Sequence, residues 1–251
     1  MSKMKTQIGA RLKDTEISAN SRILELLENS GMPDGDMLQN LIMFTNRIYL
    51  ADYLFINHLY EQLLPVHGVI AEFGVKWGKN LALLTMLRGI YEPFNYTRMI
   101  LGFDTFEGFA EIHVKDGKDI GAVKGNLSTG LPYVQRLEEL LNLHESISPV
   151  NQIKKHELIV GDASVTFPEY LKAHPEAIFA LVYLDMDLYQ PTRDVLANLE
   201  GHVTKGSIIA FDEAVSPRWP GETIALKESW LCGQRLRRVP WNPAPSYIVV
   251  E

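Results

Sequence analysis

The chain has 251 residues and a formal net charge of −7, which argues against a nucleic-acid partner bound through its phosphates. Hydrophobic residues make up 46% and charged residues 22% of the chain, as in an ordinary soluble globular protein. The single cysteine, Cys232, excludes an intramolecular disulfide and a zinc site built from cysteines. The first residues lack the apolar core of a signal peptide, and no apolar run is long enough to span a bilayer. We therefore expect a cytoplasmic protein with no membrane partner.

The first 65 residues are poor in strand patterns and are predicted to form helices. Residues 21–30, SRILELLENS, have apolar side chains at helical spacing, and the turn residues of GMPDGD end that pattern. Apolar and aromatic residues return at helical spacing from Leu38 to Leu64, which indicates a packed helix or a subunit contact. Residues 1–65 are thus predicted to be a helical region that provides lid and oligomer contacts. A single domain is predicted over residues 66–251.

From Gly68 onward, short strand-like apolar runs alternate with helical patterns. This alternation is typical of a doubly wound parallel sheet. The predicted strands are 68–75, 98–104, 156–162, 177–187 and 206–213, and the predicted helices are 78–90, 165–174 and 192–203.

The C-terminal segment has a different pattern. Residues 234–242 and 246–251 both have strand character, and only the short stretch 243–245 (PAP) separates them. This arrangement predicts an antiparallel hairpin that closes one edge of the sheet. Such a hairpin is a feature of methyltransferase-type sheets that a plain dinucleotide-binding fold lacks.

Every predicted strand of the parallel part ends in an acidic residue. Because ligands of open parallel sheets bind beyond the carboxyl ends of the strands, these acids are predicted to share one ligand-binding edge. A single Asp at such a place is also a favoured helix N-cap or turn residue, and that interpretation stays open. An acidic edge suits ribose hydroxyls, a sulfonium cation or a metal better than a free phosphate. The acids are Glu72, Asp104, Asp162, Asp185 and the pair Asp212–Glu213.

The turn after the first predicted strand indicates which nucleotide cofactor fits. Its sequence, EFGVKWGKN, contains Gly74 and Gly78 but not the G-x-G-x-x-G pattern that binds a dinucleotide pyrophosphate. Gly74 allows close approach of the backbone to a ligand. Asp104 ends the second strand, where an acid typically binds ribose hydroxyls. A positively charged cofactor without pyrophosphate is therefore expected, and S-adenosylmethionine has these properties.

Asp185 and Asp187 lie two residues apart at the end of a buried strand and indicate a metal site with a general base. With Asp212 and Glu213 they offer only oxygen ligands, which suit magnesium or calcium. A cation there would compensate the clustered negative charge and lower the pKa of a bound substrate hydroxyl. Asp187 would then accept the proton as general base. In the alternative interpretation, Asp187 caps the helix that begins near Pro191, and Asp185 binds a backbone amide.

Four motifs together resemble the macrocin O-methyltransferase family. They are VIAEFGVKWGKN, GFDTFEGF, LVYLDMDLYQPTRDVL and GSIIAFDEA, and they occur in the family's order within residues 47–230. The resemblance implies a Rossmann-like class I methyltransferase with a mostly parallel seven-stranded sheet. It also implies transfer of a methyl group from S-adenosylmethionine, assisted by Mg²⁺, to a sugar hydroxyl in natural-product biosynthesis. The chain length and the PGE stretch after the acidic pair resemble the branch that acts on nucleotide sugars such as TDP-deoxyhexoses.

The resemblance also implies roles for individual residues. The chain departs from the family in one position, because Glu213 stands where a second aspartate is common. Arg218 and Trp219 follow closely and are candidates for substrate contact. The implied cofactor residues are Glu72, Gly74, Asp104, Phe106, Asp162, Ala163 and Asp185; the implied metal ligands are Asp185, Asp212 and Glu213; and the implied base is Asp185 or Asp187.

Three questions stay open at this stage. A metal-dependent methyltransferase of a catechol or phenol would share the same carboxylates, and a non-enzymatic binding protein would share the fold. The region 107–156 has no assignable motif and is either a substrate lid or a surface loop. We expect a small-molecule sugar substrate and a homo-oligomer, but the sequence names neither the sugar nor the oligomeric state.

Overall fold

A computed structural model of the chain describes residues 14–119 and 121–251. Seven strands form one sheet in the order β3-β2-β1-β4-β5-β7-β6. Strands β1 to β5 pair in parallel, whereas β7 runs antiparallel to both β5 and β6. The predicted fold class, a mostly parallel sheet closed by an antiparallel hairpin, is confirmed. The strands are β1 (Val69–Phe73), β2 (Ile100–Asp104), β3 (His156–Val160), β4 (Phe179–Leu184), β5 (Val203–Phe211), β6 (Arg237–Val239) and β7 (Asn242–Val249).

Helices cover both faces of this sheet, so the central strands are apolar on both sides. Neighbouring residues of one strand point to opposite faces and enter two separate hydrophobic clusters. On one face Ile70, Leu181 and Ile208 pack, and on the other Ala71, Val182 and Ile209. The helices that pack on the sheet are α4 (Lys79–Tyr91), α5 (Pro132–Ser146), α6 (Ala163–Ala173), α7 (Tyr189–Leu199), α8 (Pro220–Glu228) and the C-terminal part of α3 (Arg47–Leu63). The described chain before them forms α1 (Asp14–Glu28) and α2 (Asp34–Asn40).

The C-terminal hairpin is confirmed, but its turn lies at residues 240–241 and not at 243–245. Pro243 and Pro245 are part of β7 itself. They are tolerated because β5 pairs with β7 only from Ser246 onward, so a missing N–H before that point breaks no hydrogen bond to β5.

The described part of the chain divides into two compact units, one that ends at Asp52 and one that begins at Tyr53. In the described part of the first unit, the apolar pattern that was predicted to run from Leu38 to Leu64 is interrupted. A 3₁₀ turn spans Leu41–Phe44, and Asn46 then starts α3 by accepting hydrogen bonds from the N–H groups of Ile48 and Tyr49 at 2.9 and 3.0 Å. The predicted domain boundary at residue 65 stays a prediction.

In the second unit, the C-terminal part of α3 belongs to the hydrophobic core, with Phe55, Leu59 and Leu63 almost fully buried. Within the described residues, no helix is both long enough and apolar enough to cross a membrane.

Candidate active site at the carboxyl ends of the strands

The acidic strand ends lie along one edge of the sheet. Because β1 to β5 are parallel, Glu72, Asp104, Asp185 and Asp212 all lie at or just beyond the carboxyl ends of hydrogen-bonded neighbours. Asp162 follows β3 two residues after its end. The sequence prediction of an acidic edge is therefore matched by the sheet topology, and this edge is the candidate active site.

Glu72 is almost completely buried at the end of β1. One carboxylate oxygen accepts a hydrogen bond from Asn80 Nδ2 at 2.9 Å, and the other, Oε2, has no hydrogen-bond partner. Burial raises the pKa of Glu72 to about 8, against the hydrogen bond from Asn80 and the charge of Lys79, which lower it. A carboxyl group with this pKa is mostly protonated at neutral pH, and a cation beside Oε2 would favour its ionised form.

Gly74 is required for a reason that the sequence did not show. Its φ is +95°, and a Cβ at this position would lie 1.9 Å from the carbonyl oxygen of Asp185. The N–H of Gly74 donates to the carbonyl of Phe103 at 2.9 Å. Gly74 therefore allows the ends of β1 and β4 to approach each other. This role does not depend on a cofactor nearby.

Asp104 joins two turns through backbone hydrogen bonds. Its Oδ2 accepts from the N–H of Lys76 at 2.7 Å, and its Oδ1 accepts from the N–H of Phe106 at 2.6 Å. Both donors have left-handed backbone conformations, with φ of 54° and 55°. The carboxylate therefore orders the turns that follow β1 and β2, and its predicted contact with ribose hydroxyls stays a prediction.

The remaining predicted cofactor residues differ in their surroundings. The Phe106 side chain is 1% exposed and packs in the hydrophobic cluster that includes Leu137 of α5. Asp162 accepts the N–H of Ser164 at 2.9 Å and is the N-cap of α6, as the alternative interpretation of the strand-end acids expected. Ala163 is buried at the first position of that helix.

Asp185, one of the predicted metal ligands, lies at the tip of β4 among other acidic side chains. Its backbone N–H donates to the carbonyl of Phe73 at 2.8 Å, which holds it at the tip of β4. Although the residue keeps some solvent exposure, the burial of its carboxyl group raises its pKa well above the usual range. Repulsion from Asp212 and Asp187 raises this pKa further, because like charges close together disfavour ionisation.

Asp187 lies in a tight turn directly after β4. Its φ is +61°, and the N–H of Leu188 donates to the carbonyl of Met186 at 2.6 Å across it. A left-handed conformation is strained for a residue other than glycine, and such strain is concentrated at functional sites. The N-cap of α7 is Leu188, and the first N–H of that helix, from Tyr189, is donated to Asp116.

Two residues that the sequence reasoning did not assign complete the acidic edge. Tyr183 of β4 donates its hydroxyl to Asp212 Oδ1 at 2.8 Å. Glu222 of α8 is fully buried, and its Oε2 accepts the N–H of Glu213 at 2.9 Å while its Oε1 has no hydrogen-bond partner. Burial and then the charge of Asp212 raise the pKa of Glu222 well above its usual value. The PGE stretch was the only sequence signal for Glu222.

The donor chemistry of this edge suits a hard cation, but its spacing does not form a ready site. Asp185, Asp212 and Glu213 supply oxygen atoms of the kind that Mg²⁺ prefers. In the described ranges, however, no three His, Cys, Asp or Glu side chains are grouped so that they could hold a metal ion. The predicted set of metal ligands therefore stays a prediction.

Residues 105–119 and 121–131, which lie between β2 and α5, contain side chains that pack beside this edge and will be called the β2–α5 segment. Its Asp119 forms an ion pair with Arg218, including a hydrogen bond of 3.0 Å from Nη2 to Oδ1. Its Phe109 packs against Trp219 with ring centroids 5.8 Å apart, and both side chains are mostly buried. Arg218 and Trp219, the predicted substrate residues, are thus engaged within the protein, and their substrate contact remains a prediction.

The region 107–156 is therefore more than a surface loop. Its second half contains α5, the crossover helix between β2 and β3, with Leu137 and Leu141 fully buried. The sheet order, the antiparallel β7 and the acidic carboxyl edge together define the fold of a class I methyltransferase.

Comparison with solved structures identifies the family. A crystal structure of CalS11, a calicheamicin methyltransferase, matches with a TM-score of 0.93 and 39% sequence identity, over 96% of this chain and 94% of that chain. An apo structure of CalS11, named there as the TDP-rhamnose 3′-O-methyltransferase of calicheamicin biosynthesis, matches with a TM-score of 0.84 and 37% identity over 96% of both chains. The chain therefore belongs to the O-methyltransferase family of CalS11 and is a methyltransferase enzyme.

The similarity to the O-methyltransferase NovP is more distant. The TM-score is 0.60 with 19% identity over 79% of each chain, which supports the fold alone. No family model and no curated protein matches the chain. The resemblance predicted from the four sequence motifs is confirmed by the two CalS11 structures.

Proposed function

We propose that the enzyme transfers a methyl group from S-adenosylmethionine to a hydroxyl group of a sugar in natural-product biosynthesis. The acceptor is a TDP-deoxyhexose or another nucleotide sugar, or a sugar already attached to a natural product. The similarity to CalS11 over nearly the whole of both chains carries this proposal. The acidic edge of the sheet supplies the chemistry.

The residues at the ends of β1 to β3 fit the cofactor. S-adenosylmethionine supplies a methyl group on a positively charged sulfur. The buried, unpartnered Oε2 of Glu72 is a suitable acceptor for a cationic part of that molecule. Asp104, Asp162 and Ala163 would complete the cofactor-binding edge beyond β2 and β3. The absence of a pyrophosphate-binding loop further supports this cofactor over a dinucleotide.

Asp187 is the proposed general base. In the reaction, the methyl carbon–sulfur bond breaks as a carbon–oxygen bond forms to the sugar hydroxyl, and the hydroxyl proton goes to a carboxylate of the protein. Asp187 lies three residues beyond the end of β4 and is mostly buried, close to Asp185. Positioning of the hydroxyl between this base and the methyl group would provide much of the rate acceleration.

A divalent cation is proposed as an additional cofactor, with Asp185, Asp212 and Glu213 as its ligands. Mg²⁺ would supply positive charge that lowers the pKa of a bound hydroxyl. The mutual repulsion of Asp185, Asp187 and Asp212 supports a need for such charge. These carboxylates are not grouped as a ready site within the described residues, and the assay with a chelator tests whether a cation takes part.

The proposed enzyme acts in the cytoplasm and forms a homo-oligomer. Within residues 14–52, Leu38, Ile42 and Met43 have large exposed apolar side chains, which supports an association surface in this unit. Light scattering of the purified chain measures the oligomeric state, and a monomer at micromolar concentration would refute this part of the proposal.

A methyl-transfer assay with labelled cofactor tests the function. TDP-rhamnose, other TDP-sugars, a rhamnosylated glycoside and a catechol are compared, with and without a chelator. Methylation of a sugar supports the proposal, and methylation of the catechol alone would assign the enzyme to the phenol-methylating class. Activity that survives complete chelation would remove the metal. Asp187→Asn is expected to lower kcat at least about 100-fold, as loss of a general base does.

A further inference from the structure

The β2–α5 segment contains a fully buried carboxylate, Asp116, that no part of the proposed reaction uses. It ends a short 3₁₀ turn, Val114–Asp116, and has no solvent exposure. Both of its carboxylate oxygens are engaged by backbone donors: Oδ2 accepts the N–H of His113 at 2.7 Å, and Oδ1 accepts the N–H of Tyr189 at 2.6 Å. Asp116 therefore connects the segment to a place 73 positions further along the chain.

The second of these bonds reaches the beginning of α7. Tyr189 is the first residue of that helix, and the N-cap residue, Leu188, has no side chain that can accept a hydrogen bond. The first N–H groups of a helix have no partner within the helix and need an acceptor from elsewhere. A carboxylate is the favoured acceptor at that end because it also interacts well with the helix dipole. Asp116 thus provides α7 with the cap that its own sequence lacks.

The proposed base lies two residues before this bond. Asp187 has a φ of +61°, and a hydrogen bond of 2.6 Å from the N–H of Leu188 to the carbonyl of Met186 closes the turn around it. A strained turn of this kind persists only where its surroundings hold both ends. On the β4 side, the N–H of Asp185 is held by the sheet at 2.8 Å from the carbonyl of Phe73.

On the α7 side, α8 packs directly onto the bond between Asp116 and Tyr189. A Cβ at Gly221 would lie 2.2 Å from Asp116 Oδ1 and 2.6 Å from the nitrogen of Tyr189. Only a glycine therefore fits at position 221, where α8 contacts this hydrogen bond. Three segments, the β2–α5 segment, α7 and α8, converge on a single carboxylate.

We propose that Asp116 is a positioning residue, which holds Asp187 in the conformation that accepts the proton of the sugar hydroxyl. The proposal rests on the proposed function, with Asp187 as base. Through the hydrogen bond from Tyr189 to Asp116, the β2–α5 segment would then help to hold the active site in its working conformation. Because Asp116 is fully buried and both of its oxygens accept backbone N–H groups, it is expected to act through the base and not through contact with the acceptor.

The test is a double-mutant cycle with kinetics, cofactor binding and melting measured on every variant. The variants are Asp116→Asn, Asp187→Asn and the combination of the two, assayed with TDP-rhamnose as acceptor. Asn at 116 keeps the volume but offers only one acceptor oxygen to two donors. Gly221→Ala displaces the same carboxylate without changing its chemistry and is used in the same cycle if Asp116→Asn does not fold. Asp119→Asn, which removes the ion pair with Arg218 and keeps an Oδ1 acceptor for the N–H of Gly121, is the matched control.

We expect Asp116→Asn to lower kcat about 10- to 100-fold, as a small displacement of a catalytic group does. The KM values and the calorimetric Kd of S-adenosylmethionine should change less than about threefold, because the cofactor residues are untouched. In the Asp187→Asn background, the substitution at 116 should add less than a twofold further loss, since a residue that acts only through the base has nothing left to position. Asp119→Asn should not reproduce the loss in kcat.

Several outcomes would overturn the inference. If Asp116→Asn keeps kcat within twofold, or if its loss multiplies with that of Asp187→Asn, Asp116 does not act through the base. The same conclusion follows if Asp119→Asn lowers kcat equally, because the effect would then belong to the whole segment. No transfer to any sugar by the wild type would instead refute the proposed function itself. Full activity of Asp187→Asn would refute the assignment of Asp187 as base, on which the inference about Asp116 rests.

Discussion

The contact between the ends of β1 and β4 leads to a quantitative prediction for Gly74→Ala. The new Cβ would lie 1.9 Å from the carbonyl oxygen of Asp185, whereas ordinary contacts begin at 3.4 Å. The two strand ends would have to separate by about 1.5 Å, which breaks the 2.8 Å hydrogen bond between the N–H of Asp185 and the carbonyl of Phe73. The clash is with backbone on both sides, so no side-chain rotation can relieve it.

The expected free-energy change has two parts. The φ of +95° costs a residue with a Cβ about 1–2 kcal/mol, and overpacking adds about 1–3 kcal/mol. For a chain of this length, such a loss lowers the melting temperature on the order of 10 °C. Because Asp185 moves with the strand end, kcat/KM should fall at least about 100-fold.

Gly201→Ala is the matched control. Gly201 has a similar φ of +90°, but a Cβ there has open space around it, and Gly201 precedes β5 at the end of that strand opposite to Asp212. Gly201→Ala should lose only the part of the folding free energy that is due to φ, and it should keep its methyl-transfer activity. Calorimetry and initial rates of methyl transfer measure both variants. Equal melting temperatures for the two alanine variants, or activity of Gly74→Ala within threefold of wild type, would refute the reasoning.

Three further predictions concern buried carboxyl groups. Because the pKa of Glu72 is raised to about 8 in the folded state from 4.5, its contribution to stability is present below pH 4.5 and is lost as the pH rises through 8. Glu72→Gln should therefore flatten the fall of the melting temperature between pH 5 and 8, and an unchanged slope would contradict the burial argument. Glu222→Gln keeps an acceptor for the buried backbone N–H that Glu222 binds, whereas Glu222→Ala should cost about 1–3 kcal/mol in urea unfolding; equal stabilities would refute this. Glu145→Ala leaves buried Arg88 uncompensated and should cost about 3–5 kcal/mol, against less than about 1 kcal/mol for the exposed pair removed by Glu25→Ala. A loss at Glu145 no larger than that at Glu25 would show that the buried pair contributes little.

Local patterns predicted the strands and the acidic edge well. The alternation of apolar runs and helical segments indicated a parallel sheet, and parallel pairing alone places Glu72, Asp104 and Asp185 at one end. The prediction was wrong where a single side chain decides a boundary: Asn46 starts α3 within what looked like one continuous apolar pattern. It was also wrong for the hairpin turn, since prolines are tolerated in β7 where β5 does not pair.

The chain's own composition and periodicity thus determined its fold class and the acids at its strand ends, because side-chain period and strand direction are local properties. Only the tertiary structure decided how those acids are held. Asp116 caps a helix 73 positions away, Glu222 reaches Glu213 from another helix, and Gly74 is needed by the carbonyl of Asp185. Such contacts join residues that are distant in the chain, and no periodic pattern records them.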